Sequence, residues 1–86
     1  MATIPDISLV PTEYIDIYAA TGITAGTQLA VQNKTNGPVN TQNISSQPSA
    51  TDNNGFMIPP MEVWRVPAGT LRAWFKGQGF LAVEVM

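Results

Sequence analysis

No stretch of eleven residues in this chain keeps a helical period, and each candidate regular run is cut short by proline, glycine or asparagine. Alternating runs of four to seven residues recur instead, with turn residues between them. A run that short cannot bury a helical stripe, but it can bury one face of a strand. Repeated along a chain, such runs fold as a sandwich or small barrel. The expected fold is therefore all-β: a small antiparallel β-sandwich or barrel of about six to seven short strands.

The runs can be placed. Residues 13–19, EYIDIYA, read as a strand with Ile15 and Ile17 on one face and Tyr14, Asp16 and Tyr18 on the other. Residues 27–33, TQLAVQN, alternate again, with Leu29 and Val31 inward. After the turn at Asn36-Gly37-Pro38, residues 39–44, VNTQNI, read as a short polar edge strand. Residues 45–55, SSQPSATDNNG, read as a long polar loop outside the sheet core, and loops of that length are often functional or mobile. Phe56, Met57 and Ile58 re-enter the core, and MEVWRV at 61–66 makes another strand before the Pro67-Ala68-Gly69-Thr70 turn.

The last two runs, 71–76 and 80–86, read as a hairpin. A three-residue loop at Gly77-Gln78-Gly79 keeps Leu71, Ala73 and Phe75 on one face with Leu81, Val83 and Val85. It sets Arg72 opposite Glu84, with Gly79 as the left-handed residue of the turn.

Ahead of these strands, residues 1–11 carry Ile4, Ile7, Leu9 and Val10 between Pro5 and Pro11 or beside them. Prolines favour extended backbone. The segment reads as an extended N-terminal arm, 1–11, preceding a single β domain, 12–86. Residues 3–11 are expected to pack on a neighbouring subunit. The alternative is that Leu9 and Val10 open the first strand.

Composition narrows function by exclusion. The 86 residues include no Cys and no His, so disulfides, thiolate sites and the usual nucleophile–base pairs are excluded. The six acids, Asp6, Glu13, Asp16, Asp52, Glu62 and Glu84, are scattered. No enzyme activity and no cofactor or metal are expected. Asp52-Asn53-Asn54-Gly55 echoes a calcium loop but lacks the terminal acid and reads as a polar turn. A net charge of −2 gives no footprint for nucleic acid. No apolar run approaches a membrane span, and no basic-then-apolar secretory signal opens the chain. Charged residues make up only 12% against 44% hydrophobic, which suits a surface partly covered by neighbours. A domain this small commonly gains stability from oligomerisation when disulfides and metals are missing, so a homo-oligomer is expected.

The sharpest side chains are aromatic. Trp64 reads as core. Trp74 shares a strand face with Arg72 and Lys76, and a Trp flanked by cations can stack on a sugar, a base or a partner side chain; the equal alternative is an aromatic that covers the second layer of the sandwich. Arg72, Trp74 and Lys76, with Ile4, Ile7, Leu9 and Val10, are the candidate interface residues.

In this layout a strand is followed by Gly22-Ile23-Thr24-Ala25-Gly26-Thr27, then Leu29-Ala30-Val31-Gln32-Asn33-Lys34. A Pro-containing polar loop leads to Gly55 and Ile58-Pro59-Pro60-Met61-Glu62; Ala73-Trp74-Phe75, the Gly77–Gly79 turn and Leu81-Ala82-Val83 follow. Over residues 14–86 this resembles small β-structured virion proteins of tailed bacteriophages, including head decoration proteins and accessory neck or tail proteins. The resemblance implies a repeated, non-enzymatic structural subunit that decorates or cements a protein lattice. It implies other virion proteins, major capsid or neck and tail proteins, as partners, and the virion as its location after synthesis in the bacterial host cytoplasm. The alternative is a carbohydrate- or receptor-binding module using the long loop and Trp74.

Overall fold

The computed structural model describes residues 4–86. The first three residues of the expected arm lie outside the described residues. Eight strands form two four-stranded antiparallel sheets, with one five-residue helix. The strands are β1 (Ile7–Leu9), β2 (Ile15–Asp16), β3 (Leu29–Asn33), β4 (Val39–Gln42), β5 (Phe56–Ile58), β6 (Val63–Val66), β7 (Trp74–Lys76) and β8 (Gly79–Val85), and the helix is α1 (Ile17–Thr21). The first sheet runs β1-β8-β3-β6 and the second β2-β7-β4-β5. The all-β sandwich is thus as expected, with more and shorter strands.

The core lies between the sheets. Leu29, Val31, Leu81, Val83 and Val66 come from the first sheet; Phe75, Val39 and Ile58 face them from the second. The alternation in the sequence identifies these inward residues correctly. It misidentifies one pair of neighbours. The runs at 71–76 and 80–86 do not form a hairpin: β7 pairs with β2 and β4, and β8 pairs with β1 and β3. Glu84 stands opposite Ala30, not Arg72. The chain between them crosses from one sheet to the other at Gly77, where an added Cβ would stand 3.0 Å from Val39 Cγ2 and 3.5 Å from Leu9 Cδ1. Gly79 opens β8 opposite Leu9 rather than closing a turn. Ala73 and Phe75 do meet Leu81 and Val83, across the core instead of along one sheet.

The EYIDIYA strand is also corrected. It breaks after Asp16, whose Oδ1 accepts hydrogen bonds from Tyr18 N (3.2 Å) and Ala73 N (3.3 Å). That makes Asp16 the N-cap of α1, and Gly22, at φ 76, ends the helix by donating to the Tyr18 carbonyl at 2.9 Å. Turning the chain at Asp16 lets Tyr14, Ile17 and Tyr18 all be buried. The Tyr18 hydroxyl donates to the Thr27 carbonyl at 2.7 Å. Burial, and secondarily the nearby Asp16 carboxylate, raise the Tyr18 pKa above its ordinary value.

The N-terminal segment does not leave its domain. Ile7–Leu9 pairs antiparallel with β8, Ile7 opposite Leu81, as the edge strand of the first sheet. Leu9 is part of the core, and Ile4 and Ile7 pack against it. Lys34 Nζ fastens the segment just before β1 by contacting Asp6 Oδ2 at 2.6 Å. The expected docking of residues 3–11 on a neighbour is therefore corrected for the described part. The groove exists in the molecule itself, because β8 has a free edge that only β1 fills. Of the four apolar arm residues, Val10 alone is exposed.

Candidate functional site

Two surfaces carry the residues singled out by sequence: the outer face of the second sheet and the side of the sandwich where β5 and β6 end the two sheets. On the outer face, the 43–55 segment lies across the sheet as a strap. Trp74 Nε1 donates to the Ile44 carbonyl at 2.9 Å, and Gln47 Nε2 donates to the Tyr14 carbonyl at 2.7 Å. Lys76 Nζ donates to the Ala50 carbonyl (2.6 Å) and Asn53 Oδ1 (3.1 Å), and sits 5.0 Å from the centre of the Tyr14 ring. The Tyr14 hydroxyl donates to the Asp52 carbonyl.

The strap explains β4. Residues 39–42 are buried on both faces, so β4 is an interior strand and not the expected polar edge. Asn40 and Gln42 point into a polar layer under the strap, where Asn40 Nδ2 donates to Asn53 Oδ1 at 3.1 Å. Buried amides of this kind need partners, and the strap supplies them.

The structure does bring the Arg72, Trp74 and Lys76 group together: the Arg72 guanidinium lies 5.8 Å from the centre of the Trp74 ring. Their role is nevertheless internal. Trp74 is only 7% exposed, so the ring presents no open face for stacking. Lys76 is committed to the strap, and its ammonium donates to the Ala50 carbonyl and to Asn53 Oδ1, the latter in the segment that echoed a calcium loop. Arg72 stays largely exposed, 3.9 Å from Asp16 Oδ2.

The β5–β6 side is the opposite kind of surface. Among the described residues only β4 pairs with β5, and only β3 pairs with β6, so both strands present a free edge. Phe56 and Trp64 close the gap between the sheets, their ring centres 5.1 Å apart and the planes tilted by 36°. Trp64, expected as core, packs against the core from this rim. Phe56 and Met57, also expected inside, are 65% and 58% exposed; Ile58 alone of that run is buried. Met61 and Val63 add exposures of 64% and 53%. A cleft of about 250 Å³ opens beside them, lined by Ile44, Phe56 and Trp64 among others. Thr41 Oγ1 and Trp64 Nε1, which belong to residues lining that cleft, are buried with no hydrogen-bond partner.

Asn33 holds this rim in place from inside. Its Nδ2 donates to the carbonyls of Gly37 and Ile58, both at 2.8 Å, and its Oδ1 accepts from Thr35 N at 2.8 Å. The backbone of the same residue bonds the β5–β6 connection: Met61 N donates to Asn33 O at 2.7 Å, and Asn33 N to Glu62 O at 3.0 Å. Held at both ends, Met61 adopts φ 68, the left-handed region that non-glycine residues avoid. The side chain is presented outward at the tip of the connection.

Sequence reasoning missed this rim. The missed signal is the uncharged run from Asn53 to Met61, in which Gly55 and the two prolines confine an apolar strand to three residues. No protein-family description matches the chain, and no curated protein or solved structure shows significant similarity to it.

Proposed function

We propose that this chain is a non-enzymatic structural subunit of a bacteriophage particle, decorating or cementing a capsid or a neck or tail protein lattice. The observation that supports this reading best is the β5–β6 rim. Phe56, Met57, Met61 and Val63, on the two edge strands and the connection between them, are each more than half exposed in a chain of 86 residues. Large apolar side chains left in solvent along the edge of a small domain mark a protein contact. The sequence resemblance to small virion proteins names the setting, with other virion proteins and further copies of the chain as partners. The rival reading, a carbohydrate- or receptor-binding module, finds no support at Trp74, whose ring is covered by the strap.

The test is the protein composition of purified particles of the phage that carries the gene. Quantitative mass spectrometry is expected to find the chain in a fixed copy number relative to the major capsid or tail protein. Absence from washed particles overturns the reading.

A further inference from the structure

We infer that a second copy of this chain docks along the free edge of β5, antiparallel, with Met57 opposite Met57 of the copy. The argument starts from the rows of side chains that cross the second sheet. Ile15, Phe75, Thr41 and Phe56 are paired in succession, so they form one inward row; Val39 and Ile58 belong to the next. Both rows stop at β5. Phe56, the last member of its row, is left mostly in solvent with Trp64 on one side only.

A strand that completes these rows must meet definite conditions. It needs two apolar residues separated by one position, because successive side chains alternate between faces. It must carry no charge, since no charged residue stands between Asn53 and Met61 to receive one. It must also be short, because Gly55 and Pro59 bound β5 on either side and proline gives no donor to a ladder.

The β5 strand itself meets all three conditions. Phe56 and Ile58 flank Met57, and the register centred on Met57 is the one that pairs all three residues. It places Phe56 beside Ile58 of the copy, and Ile58 beside Phe56 of the copy, with every inward side chain still inward. Such pairing is isologous, so it closes as a two-fold dimer and does not propagate as a fibre. Natural sheets commonly guard a free edge with lysine or an inward charge. Here only the prolines after Ile58 limit the strand, and they fix its length without blocking it.

This inference does not depend on the phage reading, since its test uses the purified chain alone. Sedimentation equilibrium is run on the wild type, on Met57→Lys, on Met57→Glu and on an equimolar mixture of the two variants. Met57 is exposed on the outer face, so both variants are expected to keep the wild-type far-UV circular dichroism spectrum. The wild type is expected to dimerise. Each variant alone sets two like charges directly opposite and is expected to dimerise at least about tenfold more weakly. The mixture sets opposite charges face to face and is expected to regain the dimer. Dilution of the wild type is expected to shift the NMR signal of the Trp64 indole N–H and leave that of Trp74 in place. A wild type that stays monomeric at high micromolar concentration overturns the inference and leaves the edge to a foreign strand. A dimer untouched by both substitutions overturns it, as does a mixture that fails to regain association.

Discussion

The strap-covered face and the β5–β6 rim meet at β5 and follow opposite rules. Under the strap, the amides of Asn40, Gln47 and Asn53, the ammonium of Lys76 and the indole of Trp74 all find partners within the chain. At the rim, large apolar side chains lie open and two buried polar atoms have no partner. A cationic and aromatic cluster looks functional in sequence, yet here it is the internal fastening of a loop. Phe56 and Met57 look like core, yet here they are surface. The difference shows that incompleteness, rather than chemical variety, marks where this molecule meets something else.

The comparison can be broken most severely at Gly55, where the strap ends and the rim begins. Gly55 has φ +91, and a Cβ there would collide with the Thr41 carbonyl and stand 2.6 Å from Gln42 Cγ. Gly55→Ala is expected to cost at least about 3 kcal/mol in urea unfolding, combining left-handed strain with a backbone clash. Next comes Asn33→Ala, which removes the side-chain bonds to the Gly37 and Ile58 carbonyls and from Thr35 N. A loss of about 2–3 kcal/mol is expected, with amide exchange rising at Met61 and Glu62 before the rest of the molecule.

Trp74→Phe is milder. It removes the bond to the Ile44 carbonyl and keeps most of the buried ring, so a cost of about 1 kcal/mol is expected. Hydrogen exchange is expected to rise along 44–53 without loss of the sheet. The smallest effect on stability sharpens the comparison most. Phe56→Ser is expected to change the unfolding free energy of the monomer by about 1 kcal/mol or less, because the ring is 65% exposed. A large loss there would show that the rim belongs to the core, and the two regions would no longer differ in kind.

How far sequence carries this protein can be seen residue by residue. Alternation finds the inward positions Leu29, Val31, Phe75, Leu81 and Val83, because a half-buried strand needs its apolar residues two apart. It cannot say whether two inward rows are neighbours in one sheet or face each other across the core, and so 71–76 and 80–86 read as a hairpin. Helix α1 is too short for any period to show; its legible signs are the cap at Asp16 and the stop at Gly22. The polarity of β4 misleads because burial under a polar strap satisfies Asn40 and Gln42 as well as water would. Exposure of Phe56 and Met57 depends on where the sheet ends, which is a property of strand order and not of the run itself.

The strand order has a consequence in time. Of the six strand pairings, only β4 with β5 joins consecutive strands, and even those are separated by the strap. There is no tight hairpin on which the sheets could nucleate. The first sheet is built around β8, which is made last and is the partner of both β1 and β3. A nascent chain therefore holds β1 unpaired, and β3 paired through β6 alone, until residues 79–85 leave the ribosome. Contacts this distant in sequence make folding slow, in the millisecond-to-second range typical of all-β domains. Unpaired apolar strands are prone to aggregate during that wait.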